Sequence, residues 1–182
     1  GYAWWTDTLV IQNEVNTGYL DVDFIKVGLP SGYKDPQHVE VVVDGPKALK
    51  DEGENGEDRD LIDITINKLY PGAKVQRYAT VENVGTLDVK ILTSDINIDG
   101  SGDTELLKYM NATIRKIGIT PNGEPIEMDL GEGVAPPKFI EIKAGESINF
   151  IIEFELRGEA PNITEEKGVN YKISLIANQF NK

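Results

Sequence analysis

The chain has no cysteine, and His38 is its single histidine. The first absence excludes disulfides, thiolate nucleophiles, iron–sulfur clusters and Cys-ligated zinc, without fixing a compartment. The second leaves no histidine set for a metal centre or a Ser-His-Asp triad. HExxH, GxSxG and a phosphate-cradling glycine loop are all missing. The paired carboxylates Glu153 and Glu155 share one face of a strand pattern, which reads as solvated surface, so no enzyme is expected. No apolar run approaches the roughly 18 residues that span a bilayer, and no membrane insertion is expected. Basic residues are scarce: 18 Lys plus Arg face 31 Asp plus Glu, for a net charge of −13. Such a chain is a poor partner for nucleic acid or anionic lipid, whose phosphates need cations. The sequence starts at Gly1 with no initiator Met and no apolar leader, the expectation being a secreted, extracellular chain whose signal peptide is removed or omitted. Two glycosylation sequons, at Asn111 and Asn162, fit export but arise often by chance.

What is present is a period of two. Leu20, Val22 and Phe24 alternate with Asp21 and Asp23; Ile62, Ile64 and Ile66 alternate with Asp63, Thr65 and Asn67. Ile148, Phe150, Ile152, Phe154 and Leu156 form the clearest run, and Val169, Tyr171, Ile173, Leu175 and Ala177 repeat it. Each run offers one dry and one wet face, the pattern of antiparallel sheets packed on each other. Turn signals such as Tyr70-Pro71-Gly72, Asn83-Val84-Gly85 and Pro121-Asn122-Gly123 separate the runs. Roughly nine to eleven strands are expected, in an all-β, two-sheet antiparallel sandwich or jelly roll. One short helix is expected over Thr104 to Asn111, capped by Thr104, with Leu106, Leu107 and Met110 as its apolar stripe.

Three stretches stand apart. Asp51 to Asp60 carries six acids against Arg59 and reads as a solvated insertion, with cation collection as the alternative. Asp95 to Glu105 begins like an EF-hand loop, Asp-x-Asn-x-Asp-Gly, but its twelfth position is Leu106. A calcium site of other geometry, with Asp95, Asn97, Asp99, Asp103 and Glu105 as ligands, is weighed against a plain solvated turn. The third stretch is residues 1–15, where Tyr2, Ala3, Trp4, Trp5, Leu9, Val10 and Ile11 make an aromatic, strand-like segment. Each aromatic buries about 150–250 Å² when packed, so the segment must dock, either as an edge strand of its own chain or in a neighbouring copy. Residues 16–182 are read as a single domain.

Ala3-Trp4-Trp5-Thr6-Asp7 followed by Thr17-Gly18-Tyr19-Leu20-Asp21-Val22 resembles the mature start of TasA/camelysin-type proteins, secreted biofilm-fibre subunits. The likeness continues at Ile64 to Gly72, at Val81-Glu82-Asn83-Val84-Gly85-Thr86-Leu87, and in the closing run Ile173 to Asn181. Archaeal extracellular filament proteins, including bundling pili and the calcium-dependent tubules called cannulae, look like the same scheme. The resemblance implies a jelly-roll subunit that polymerises with copies of itself, residues 1–15 being a donor strand for the next copy, with Ca2+ assisting. Some family members carry a metalloprotease label, which the missing zinc ligands do not support here. A monomeric carbohydrate- or surface-binding module, with Tyr2, Trp4 and Trp5 as a stacking platform, is the alternative.

Overall fold

The alternating runs become strands, and the structure is nearly all β. A computed structural model of the chain describes residues 18–48, 59–91, 95–119, 125–127, 140–162 and 167–175. In chain order the elements are β1 (Val22–Gly28), β2 (Glu40–Lys47), β3 (Leu61–Asn67), β4 (Lys74–Asn83), β5 (Val89–Ile91), β6 (Ile96–Gly102), α1 (Thr104–Leu107), β7 (Met110–Ile119), β8 (Pro125–Glu127), β9 (Ile140–Ile142), β10 (Ser147–Leu156) and β11 (Gly168–Leu175). They form a five-stranded sheet in the order β1-β4-β10-β7-β8, a four-stranded sheet in the order β2-β3-β11-β6, and a β5-β9 ribbon. Every pairing is antiparallel. The two larger sheets make a sandwich.

The dry faces meet between the sheets. Phe150, Ile152, Phe154 and Leu156 of β10 are buried against Ile62, Ile64 and Ile66 of β3 and Val169 and Ile173 of β11, in one core cluster. A ring stack joins the layers: Phe154 and Tyr171 have centroids 4.4 Å apart at 28°. Tyr171 lies opposite Gly100 of β6. A Cβ on Gly100 would stand 2.8 Å from the Tyr171 ring, so glycine there lets the ring lie over β6. Burial pushes the Tyr171 hydroxyl up to about 12. The alternation is incomplete on the outer side of the five-stranded sheet, where Tyr78 and Ile151 form a second, small buried cluster.

Polar side chains occupy two core-facing positions of β4. Arg77 makes a two-pronged contact with Asp35, at 2.7 and 2.8 Å, and its side chain is 6% exposed. Beside it, the Tyr33 hydroxyl donates to the Lys74 carbonyl and accepts from the Gln76 amide. The connection between β1 and β2 is thereby tied to the part of β4 that extends beyond β1. The other inward polar residue, Asn83, is described below.

Three expectations are corrected. The helix is one turn, Thr104–Leu107, and Asp103 caps it through a bond from the Leu106 amide at 2.9 Å. It stops there because Met110 belongs to β7, where Met110, Ala112 and Ile114 pair with Leu156, Phe154 and Ile152. The stretch after Asp95 is not a loop: Ile96–Gly102 pairs with β11 over seven residues. Asp60, assigned to a solvated run, is 8% exposed, and its carbonyl accepts from Leu175. The rest of that run, through residue 58, lies outside the described residues.

Candidate assembly surface

Residues 1–15, including Tyr2, Ala3, Trp4, Trp5, Leu9, Val10 and Ile11, lie outside the described residues, but the point where the chain joins the sandwich is described. Tyr19 and Asp21 are held against the turn after β4. The Tyr19 amide donates to the Thr86 hydroxyl at 2.9 Å, and the Tyr19 carbonyl accepts from the Thr86 and Leu87 amides. The Asp21 carbonyl accepts from the Val84 and Gly85 amides. A Cβ on Gly85 would fall 2.5 Å from the Tyr19 carbonyl oxygen, so only glycine allows this approach.

Asn83 holds the clamp together. It is fully buried. Its Nδ2 donates to the carbonyls of Leu87 (2.7 Å) and Ile142 (2.9 Å), and its Oδ1 accepts from the Gly85 amide at 3.0 Å. Its backbone groups bond Glu146 and Gly145. One side chain thus ties the end of β4 to the turn before β5 and to the end of β9, and it is that turn which holds the chain entering β1. The sequence shows Asn83-Val84-Gly85 as a turn signal; the inward polar position on β4 is the mark that distinguishes it from a solvated turn.

The sheet edges differ in what blunts them. On β1 the register shifts between Phe24 and Lys26, and the Phe24 amide already donates outward to the Arg59 carbonyl at 2.8 Å. Along β2 stand Pro46, a register shift after Asp44, and the ion pairs Lys68–Glu40 and Lys47–Asp44. These are the usual guards of an edge. Among the described residues, the side bounded by β6 and β7 has fewer. β6 keeps an unbroken register with β11 and contains neither proline nor lysine. β8 covers β7 only from Ile117 to Ile119. Core-facing positions here are small and exposed at Gly100, Gly102 and Ala112, with the Tyr171 ring lying over Gly100 and the Gly168 carbonyl close against Gly102. Ile98, Leu107, Tyr109, Met110 and Ile114 pack on the core while remaining partly exposed.

The backbone of β6 also points outward. Leu175 donates to Asp60 on the β3 side, so the alternate β11 residues Ser174, Lys172 and Asn170 turn towards β6. Their partners are Asn97, Asp99 and Ser101. The amide and carbonyl groups of Ile98 and Gly100 therefore face away from the sheet.

The five acid and amide residues weighed for calcium are spread along this element. Asp95 precedes β6 and is buried, Asn97 and Asp99 stand exposed on its outer face, and Asp103 and Glu105 follow at α1. At about 3.3 Å per strand residue, Asp95 and Asp103 are separated by about 26 Å and cannot share one ion. Asp103 also meets Lys167 at 3.3 Å, and Glu105 meets Lys108 at 2.7 Å. The Leu106 amide bond, aided by Lys167, holds the Asp103 carboxyl below its usual range. Among the described residues no group of three or more His, Asp or Glu is placed to hold a metal.

No protein-family model, curated protein or solved structure matches the chain.

Proposed function

We propose that the protein is an extracellular structural subunit that assembles head to tail with copies of itself, its N-terminal segment serving as a strand for the next copy. The observation that carries this reading is the combination at residues 1–21: an apolar, two-tryptophan strand pattern leads into a point that four backbone bonds and the Thr86 hydroxyl fasten to the sandwich. A segment that transmits load between copies needs such a fixture. Burying about 500 Å² of its apolar surface would contribute about 12 kcal/mol before association entropy. A contact between unlike surfaces that does not close produces a filament or tube. Calcium belongs to the proposal as an aid to assembly, because subunits of charge −13 repel one another and bound divalent cations relieve that repulsion.

Electron microscopy of the purified chain tests this with and without millimolar calcium. Filaments or tubes are expected, weakened by excess EDTA, and a variant lacking residues 1–12 should stay folded but dispersed. Filaments from the truncated chain would refute the strand role. An unchanged polymer in EDTA would remove calcium from the account.

A further inference from the structure

Asparagine is depleted in strands, where its side chain competes for backbone bonds. In this sandwich several strand asparagines are accounted for by the bonds they make. Asn83 donates to the Leu87 and Ile142 carbonyls, Asn149 accepts from the Thr80 hydroxyl, and Asn170 donates to Asp63 and Thr65. Asn97 and Asn111 differ: both are exposed, and neither side chain bonds another described residue. Asn97 is followed two residues on by Asp99, whereas Asn111 is followed by Ala112 and Thr113, an acceptor triplet for N-linked sugar.

We infer that Asn111 is an N-glycosylation site, an assignment that rests on the extracellular reading proposed above. Ala112 pairs with the core residue Phe154, so Asn111 and Thr113, opposite Glu155 and Glu153, project together from the outer face of the five-stranded sheet. All three residues of the triplet are exposed. There is room for a glycan as well: β8 covers β7 only from Ile117 to Ile119, and no described strand borders Asn111 on its far side. A bulky, hydrated sugar therefore stands clear of the core. It also stands clear of the clamp. Glu82, next to Asn83, pairs with Ser147 and Asn111 pairs with Glu155, positions about 26 Å apart along β10. Transfer uses a lipid-phosphate-linked oligosaccharide and its transferase, both supplied by the exporting cell. The bond from Asn111 Nδ2 to the sugar C1 forms as the C1–O bond to the lipid phosphate breaks, and the amide proton leaves with that phosphate. Transfer precedes the pairing of β7 with β10, and the outer face leaves the sugar its space once the strand closes. At the other sequon Asn162 is exposed, but Ile163 and Thr164 lie outside the described residues, and the assignment does not extend to it.

Trypsin isolates the site. Cleavage after Lys108 and Arg115 releases the peptide Tyr109–Arg115, which holds this sequon and not the one at Asn162. The protein is recovered from outside the cells that produce it, digested, and read by tandem mass spectrometry. The expected result is a Tyr109–Arg115 peptide carrying hexose or N-acetylhexosamine on Asn111, with the bare peptide as the minor form. In the same host Thr113→Ala should yield only the bare peptide, and Thr113→Ser should keep the glycan; both changes fall on an exposed, outward side chain. A bare peptide from protein recovered outside the cell, a glycan on Asn162 alone, or a glycan that survives Thr113→Ala would overturn the assignment and leave the assembly reading standing. Protein found only inside the cell would overturn the extracellular reading, and the assignment with it.

Discussion

Removing the Asn83 side chain is the sharpest test of the clamp that holds Tyr19 and Asp21 against the sandwich. In Asn83→Ala, the Leu87 and Ile142 carbonyls lose their donor, whereas the Gly85 amide keeps the Asp21 carbonyl as partner. One buried acceptor, the Ile142 carbonyl, and one part-buried acceptor, the Leu87 carbonyl, thus lose this donor, at a cost of about 1–3 kcal/mol for the first and less for the second. Allowing for partial relaxation, a loss of about 3 kcal/mol is expected. For a chain of this size that lowers the Tm by about 6–12 °C. Urea titration and calorimetry give the global figure. Hydrogen exchange locates it, with faster exchange expected at Tyr19, Gly85 and Thr86, while β10 and β3 lose protection only as far as global stability falls. Asn83→Asp separates hydrogen bonding from volume: it fills the site and can still accept from Gly85, but its carboxylate would face two carbonyl oxygens. Its folded-state carboxyl is then held above the unfolded value, so its stability deficit should shrink as the solution is acidified. A change in stability below about 1 kcal/mol for Asn83→Ala would refute the clamp as an energetic element.

Asp35→Ala leaves the Arg77 guanidinium buried without its carboxylate; a loss of about 3 kcal/mol is expected in urea titration, partly restored by a second change, Arg77→Met. Gly100→Ala drives a methyl into the Tyr171 ring, and should destabilise by about 1–3 kcal/mol with a weakened near-ultraviolet tyrosine signal; a silent substitution would show that the ring moves aside freely. Tyr171, raised by burial from 10.0 to about 12, binds its proton more tightly folded than unfolded. Its contribution is therefore complete below pH 10 and lost as pH rises through 12; Tyr171→Phe should abolish that part of the alkaline decline in stability.

The sandwich was legible because apolar residues at every second position leave few alternatives to paired strands with a shared dry face. Ile148 to Leu156 and Ile62 to Ile66 show this directly, and both runs became central strands, β10 and β3. Asp95 to Glu105 was less legible for the same chemistry that makes Asp, Asn and Gly ambiguous. Local side-chain bonds favour turns, and the decisive fact was a cross-strand one, the register of Ile98 against Ile173. Thr104 and Asp103 are both good caps; the backbone placed Asp103 in the extended conformation that caps require, with Lys167 beside it. Asp60 and Arg77 show the limit of composition. A charge reads as solvated until a distant partner is known, and Asp35 lies 42 residues from Arg77. The role of Gly100 was likewise invisible, because a glycine on an inward face looks like weak strand until the Tyr171 ring that lies over it is known.

The clamp bears on whether copies join or close on themselves in the assembly proposed above. Self-insertion and exchange of a strand make the same contacts, so the balance between them rests on the segment that joins strand to domain, as in any exchanged element. The first described residues next to that segment are held: Tyr19 has both its amide and its carbonyl bonded to the β4–β5 turn, and the Asp21 carbonyl accepts from Val84 and Gly85. Loosening that clamp should therefore favour closed monomers over filaments even where the donor sequence is untouched, a shift that sedimentation of an Asn83→Ala chain beside the unaltered one would read.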